Sequence, residues 1–283
     1  MPQPVPNSPG HTAILAAVGR ALDADAPDSI LNDHMARDLA GAAGEAIIAG
    51  LKSQTTPEGV ASFGTVFALR GRLVEDEVAR AAGEGIDQYV DLGAGLDSFA
   101  YRRGQTTAAT RVFEVDRPGA QAWKEARLAD LGIATPANTI YVPVDFEEDS
   151  LADRLSKAGF DANSRAVVSW IAVIQYIGAK AIDATLGFVS TLPAGTRLVM
   201  TYVVPPATLT DLEQQGLKWT MSQAEARGEP FLTMLTPDEV EALLRRHGFA
   251  EVEHFAPADL LARFIPGRKV QLPRIERMVI ATS

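Results

Sequence analysis

The 283-residue chain contains no cysteine, which excludes a disulfide framework and thiolate chemistry and suits a reducing compartment. It has only four histidines, none in a His-x-x-x-His spacing, and no paired-carboxylate spacing that marks a metal, so no metal site is expected. Basic side chains are outnumbered, 26 against 36 acidic, for a formal charge of −10. That balance repels a phosphate backbone and argues against general nucleic-acid binding. No apolar run approaches the ~18 residues of a membrane span, and the proline-rich residues 1–10 lack the charged start and apolar core of a secretory signal. A cytoplasmic protein with a loose N-terminal tail and no membrane partner is expected.

The length suits one large α/β domain or two small ones with a sizeable core. The most informative stretch is 87–102, in which Tyr89, Val90 and Leu92 read as a buried strand that runs into Gly93-Ala94-Gly95. Glycines there allow backbone angles that other residues avoid and let a cofactor approach the main chain. The third glycine of a G-x-G-x-x-G fingerprint is replaced by Ser98, which weakens a nicotinamide-cofactor assignment. Two further strand-like runs, 111–116 and 139–146, carry the acids Asp116 and Asp145 toward their ends. Three successive strands with polar carboxyl ends line up their tips on one sheet edge, where open α/β folds bind ligands. An acid about twenty residues past the glycines is placed to accept from ribose hydroxyls.

Arg70, the run Val-Asp-Leu-Gly-Ala-Gly-Leu-Asp at 90–97, Tyr101-Arg102, Phe-Glu-Val-Asp at 113–116 followed by Pro118, and Val-Asp-Phe at 144–146 together resemble the leucine carboxyl methyltransferase family. The resemblance runs over nearly the whole chain, from 28–33 through the Gly-Glu-Pro at 228–230 to the terminal strands. It implies a Rossmann-like class I methyltransferase fold: an α/β sheet, mostly parallel with an antiparallel terminal strand, flanked by helices. It also implies S-adenosyl-L-methionine as cofactor, S-adenosyl-L-homocysteine as its product, and a carboxylate acceptor, as in protein-phosphatase carboxyl methyltransferases and bacterial enzymes of polyketide tailoring.

By the same resemblance Arg70 pairs with the carboxylate of the methionyl tail. Gly93, Ala94 and Gly95 approach the cofactor, Asp116 and Arg117 meet the ribose end, and Asp145 and Phe146 bracket adenine. The family's fourth strand ends in a glutamate five residues before a tyrosine; here that position is Ile171, before Tyr176. Ser169 and Trp170 on that strand, with Gln175 after it, are the candidates to replace the missing acid. Tyr176 either orients an acceptor oxygen or is structural. A family member that binds the cofactor without transferring methyl is the main alternative, ahead of an NAD-linked oxidoreductase.

Apolar spacing predicts helices over 11–22, 35–51 and 63–82 as an N-terminal cover on a single domain, and a first crossover helix over 96–103. Arg20 and His34 read as solvated helix ends, and the acidic run 147–149 as solvated charge at a helix start. Residues 205–235 read as a helical insertion or lid, whose Trp219, Met221 and Phe231 line a hydrophobic acceptor pocket or simply pack. Residues 249–255 and 275–281 predict closing antiparallel strands; the basic segment between them, with Arg263, Arg268 and Lys269, reads as an interface. A carboxylate acceptor arrives ionised and needs no general base, consistent with a sequence without a convincing catalytic histidine. Monomer and homodimer both stay open.

Overall fold

The structure, a computed structural model, describes residues 10–102 and 109–283; the tail expected at 1–10 lies outside them except for Gly10. Seven strands form one sheet in the order β3-β2-β1-β4-β5-β7-β6. They are β1 Gln88–Leu92, β2 Arg111–Asp116, β3 Thr139–Pro143, β4 Val167–Trp170, β5 Arg197–Val203, β6 Glu251–Phe255 and β7 Glu276–Thr282. The first five are parallel, and β7 is inserted antiparallel between β5 and β6. Strand order turns back on itself between β1 and β4, so the crevice for a ligand opens above their carboxyl ends.

The helices are α1 His11–Ala24, α2 Ala36–Gln54, α3 Pro57–Gly83, α4 Phe99–Arg102, α5 Pro118–Asp130, α6 Leu151–Lys157, α7 Ala179–Val189, α8 Asp211–Glu225, α9 Pro237–Arg246 and α10 Pro257–Phe264. Their starts follow local chemistry. The Thr56 side chain accepts from the Gly59 amide ahead of Pro57, and Thr210 with Glu213 and Thr236 with Glu239 form reciprocal caps on α8 and α9.

Period-two alternation divides the strand side chains between two cores. Val90, Leu92, Phe113, Val115, Val168 and Trp170 face the layer built by α6, α7 and α9. Tyr89, Val112, Val167 and Val199 face α3 and α10. The predicted crossover helix over 96–103 is the short α4: Asp97 accepts from the Phe99 amide at 2.7 Å, so the helix opens after the glycine turn rather than within it, and Arg103 lies outside the described residues. The helical part of 205–235 is confined to a 3₁₀ turn at Pro206–Thr208 and α8, after which residues 229–235 carry no regular structure. Arg268, expected at an interface, is turned inward, donating to Asp28 (Nε to Oδ2, 3.0 Å) and to Thr65 Oγ1 (3.3 Å).

Candidate active site

A cavity of about 510 Å³ sits above the carboxyl ends of β1, β2 and β4, a volume typical of small-molecule sites. Its floor is the glycine turn. Gly93 adopts φ +78°, and a Cβ there would come within 2.2 Å of the Val173 side chain; both facts reserve the position for glycine. The Gly93 and Ala94 amides are held by the Val115 carbonyl at 2.7 and 3.1 Å. The Gly95 amide donates to Asp116 Oδ2 and the Arg117 amide to Asp116 Oδ1, each at 2.7 Å. Burial raises the Asp116 carboxyl above its ordinary range, and those two amides oppose the rise.

Asp145 and Phe146 line the same cavity, as do Arg117 and Ala94. The Asp145 amide donates to Asp149 Oδ2 (2.9 Å) and its Oδ1 accepts from the Glu147 amide (3.0 Å). Asp149 also pairs with Arg154, and Glu147 Oε1 accepts from the Gly178 amide at 2.8 Å. The acidic run 147–149, expected to be merely solvated, therefore shapes the turn that presents Asp145. Arg70 reaches the cavity from α3. Its guanidinium lies 4.4 Å over the Phe67 ring and pairs with Glu276.

Two acids given no role in the sequence reading, Asp91 and Glu75, also line the cavity, as do Tyr89, read there only as part of a buried strand, and Glu147 of the acidic run. Ser169 donates to Asp91 Oδ1 at 2.7 Å and shares a 2.8 Å hydrogen bond with the Tyr89 hydroxyl. Burial, reinforced by Asp97, pushes the Asp91 carboxyl up to about 8. The signal for this cluster was strand alternation, which puts Tyr89, Asp91 and Ser169 on one face. Arg20, read as a solvated helix end, is instead buried and lines the cavity. It donates to Asp33 Oδ2 (2.8 Å) and to the Leu96 carbonyl (2.6 Å). Asp33 also pairs with Arg102, which bonds Glu75 at 2.5 Å. Burial works against the Asp33 charge, but Arg20 and Arg102 hold its carboxyl below the usual range. His34 is exposed.

The opposite wall carries Ile171, Ala172, Tyr176, Glu229, Pro230 and Leu232. Trp170, a candidate cofactor contact, has its indole wholly buried in the core on the far face of the sheet, because it alternates with Ser169. Trp219 is 63% exposed and Met221 packs at the margin of the core; neither lines the cavity, since α8 presents them away from it. Phe231 stands behind the wall, edge-on to Tyr176 with ring centroids 5.2 Å apart. Burial raises the Tyr176 hydroxyl above its ordinary range.

The model of the family described as leucine carboxyl methyltransferase matches residues 13–190. The chain belongs to this family. A Bacillus subtilis (strain 168) relative, YktD, named as a candidate S-adenosyl-L-methionine-dependent methyltransferase, is 32% identical over 68% of this chain and 63% of its own length. A Rhodococcus jostii (strain RHA1) relative named in the same way is 36% identical over 63% of this chain and 60% of its own. The matched part thus spans less than two thirds of either relative. Among solved structures, a candidate methyltransferase from Thermobifida fusca YX has a TM-score of 0.60 at 20% identity, covering 100% of this chain and 97% of that one. A DUF574-family protein of Streptomyces avermitilis MA-4680 has a TM-score of 0.61 at 18% identity, with 98% coverage of both. These two show the fold alone.

Ile171, where the resemblance leads one to expect an acid, lines the cavity and packs on the α3 core. The next residue, Ala172, has φ +58° and donates its amide to Thr201 Oγ1 at 2.7 Å. That bend carries the chain off the end of β4 and into the turn Ile174–Tyr176.

Proposed function

We propose that this protein is an S-adenosyl-L-methionine-dependent O-methyltransferase acting on a small-molecule carboxylate. The observation that carries the reading is the convergence of Arg70, the Gly93-Ala94-Gly95 turn, Asp116 and Asp145 on one cavity. That donor and acceptor set suits an adenosyl amino acid: a guanidinium for its carboxylate, an open main chain beneath its sulfonium, and carboxylates for ribose and adenine. Asp91 and Asp97, on the same floor, suit its ammonium and sulfonium charges. Bound there, S-adenosyl-L-methionine supplies an electrophilic methyl group.

What the chain contributes is position. In-line displacement gains chiefly from holding reactants in contact, worth effective molarities of ~10⁵ to 10⁸ M in intramolecular models. Among the described lining residues there is no histidine or lysine, and the raised Tyr176 hydroxyl is a poor base, which favours an acceptor that arrives ionised. Tyr176, backed by Phe231, is placed to orient an acceptor oxygen by hydrogen bonding. Calorimetry with S-adenosyl-L-methionine and S-adenosyl-L-homocysteine tests the first half, and saturable one-to-one binding is expected. A mass-spectrometric screen of carboxylate and phenol acceptors for a gain of one methyl tests the second. Ile171 supports one other reading, cofactor binding without transfer; it prevails if the cofactor binds, no acceptor is methylated, and Ile171→Glu gains turnover.

A further inference from the structure

The Arg70–Glu276 pair is not accounted for by anything above. Glu276 opens β7 and registers with Val203 at the carboxyl end of β5, so it approaches the cavity from two strands beyond Ile171. Its side chain is only 10% exposed, and Arg70's 15%. A single contact, Arg70 Nη2 to Glu276 Oε2, joins them, while the other carboxylate oxygen, Oε1, is buried and accepts from none of the described residues. The pair is therefore one-pronged. A guanidinium has five N–H donors in a rigid fork; one prong is held at the back of the wall, and Arg70 makes no other hydrogen bond among the described residues. Phe67 covers one face of the group at 4.4 Å.

We infer that Glu276 is a positioning residue for cofactor binding: it anchors the back of the Arg70 guanidinium so that the remaining prongs meet the carboxylate of the ligand's amino-acid tail. This rests on the cofactor assignment proposed above. The alternative partner for Arg70 is visible. Glu229 lines the same cavity, and Glu229, Glu276 and Arg70 all act on the Tyr176 hydroxyl. Without Glu276, the Arg70 guanidinium is free to pair with Glu229 instead of with the ligand's carboxylate. Glu276 also opposes a second carboxylate by charge, so the sign of its effect is a genuine test: anchoring weakens binding when it is lost, whereas simple repulsion would tighten it.

The experiment is calorimetry of the full chain with two probes. S-adenosyl-L-homocysteine carries the amino-acid tail; 5′-methylthioadenosine keeps the nucleoside and sulfur and lacks the tail. Glu276→Ala is expected to weaken the first by about ten-fold, the scale of one charge-assisted hydrogen bond, and to leave the second unchanged. Glu276→Asp should recover part of the loss. Arg70→Ala combined with Glu276→Ala should be no weaker than Arg70→Ala alone, because both act through one contact. Unchanged or tighter S-adenosyl-L-homocysteine binding in Glu276→Ala overturns the inference, as does equal weakening of both probes, which would mark a merely structural residue. Failure of the unaltered protein to bind either probe would overturn the cofactor assignment instead.

Discussion

The wall of the cavity formed by β1, β2 and their turns differs in kind from the wall formed by Ile171, Tyr176 and residues 228–232. On the first, polar groups answer one another: Asp116 accepts two amides, Asp91 accepts from Ser169, and Arg20 grips both Asp33 and the glycine loop. On or behind the second, Gln175 Oε1 and Glu276 Oε1 are buried without a donor among the described residues, and Glu229 meets the start of α1 through a 3.4 Å contact to the Thr12 amide. Unmet buried acceptors are costly. The polar groups of the first wall thus satisfy one another, whereas unmet acceptors stand behind the second.

The most damaging way to probe the first wall is Asp33→Ala, which removes the carboxylate shared by two buried guanidinium groups; a loss of about 3–5 kcal/mol of stability is expected, read as a lowered melting temperature. Asp116→Ala should follow, removing the proposed ribose contacts and leaving the Gly95 and Arg117 amides without their acceptor. About 3 kcal/mol of cofactor affinity, roughly a hundred-fold, is the scale for such charge-assisted bonds, measurable by calorimetry; an unchanged affinity would remove Asp116 from the site. Gly93→Ala combines a left-handed backbone with a collision at Val173 and should cost about 1–3 kcal/mol of stability.

The strand tips and glycine turn were legible because backbone chemistry writes itself into sequence: glycine where φ is positive, an acid after an apolar strand, Thr-Pro at a helix start. Arg20 was misjudged because its partner, Asp33, and the Leu96 carbonyl come together only after α1 folds over the turn. Trp170 is a candidate by sequence to stand in for the missing acid, although its place between Ser169 and Ile171 already puts it on the opposite face of β4. The second wall carried no such grammar. Trp219 and Met221 look like pocket residues by type, and only the rotation of α8 shows otherwise, while Glu276 sits some two hundred residues from Arg70 with nothing in its spacing to connect them.

A different kind of effect sharpens the comparison through pH. Asp91, raised from 3.8 to about 8, binds its proton more tightly in the folded chain. Its contribution to stability is fully present below about pH 4 and is lost as pH rises through about 8. Asp91→Asn should flatten that decline. A cationic ligand beside Asp91 favours the ionised form, so affinity for S-adenosyl-L-methionine should rise between about pH 7 and 9 in the unaltered protein and stay level in Asp91→Asn; a level profile in both would detach Asp91 from the cofactor. Least of all, Trp219→Ala should change stability by no more than about 0.5 kcal/mol and leave cofactor binding intact. A clear loss of turnover there would show that the second wall extends onto α8.

The chain of buried charges from Arg20 through Asp33 and Arg102 to Glu75 draws its four members from α1, the loop before α2, α4 and α3. Each member balances a charge that its neighbours bury. A chimera whose first helix lacks an arginine at the place of Arg20 would leave the buried Asp33 with one cation fewer beneath the glycine turn. The N-terminal helices are thereby tied by charge as well as by packing to the turn they shelter.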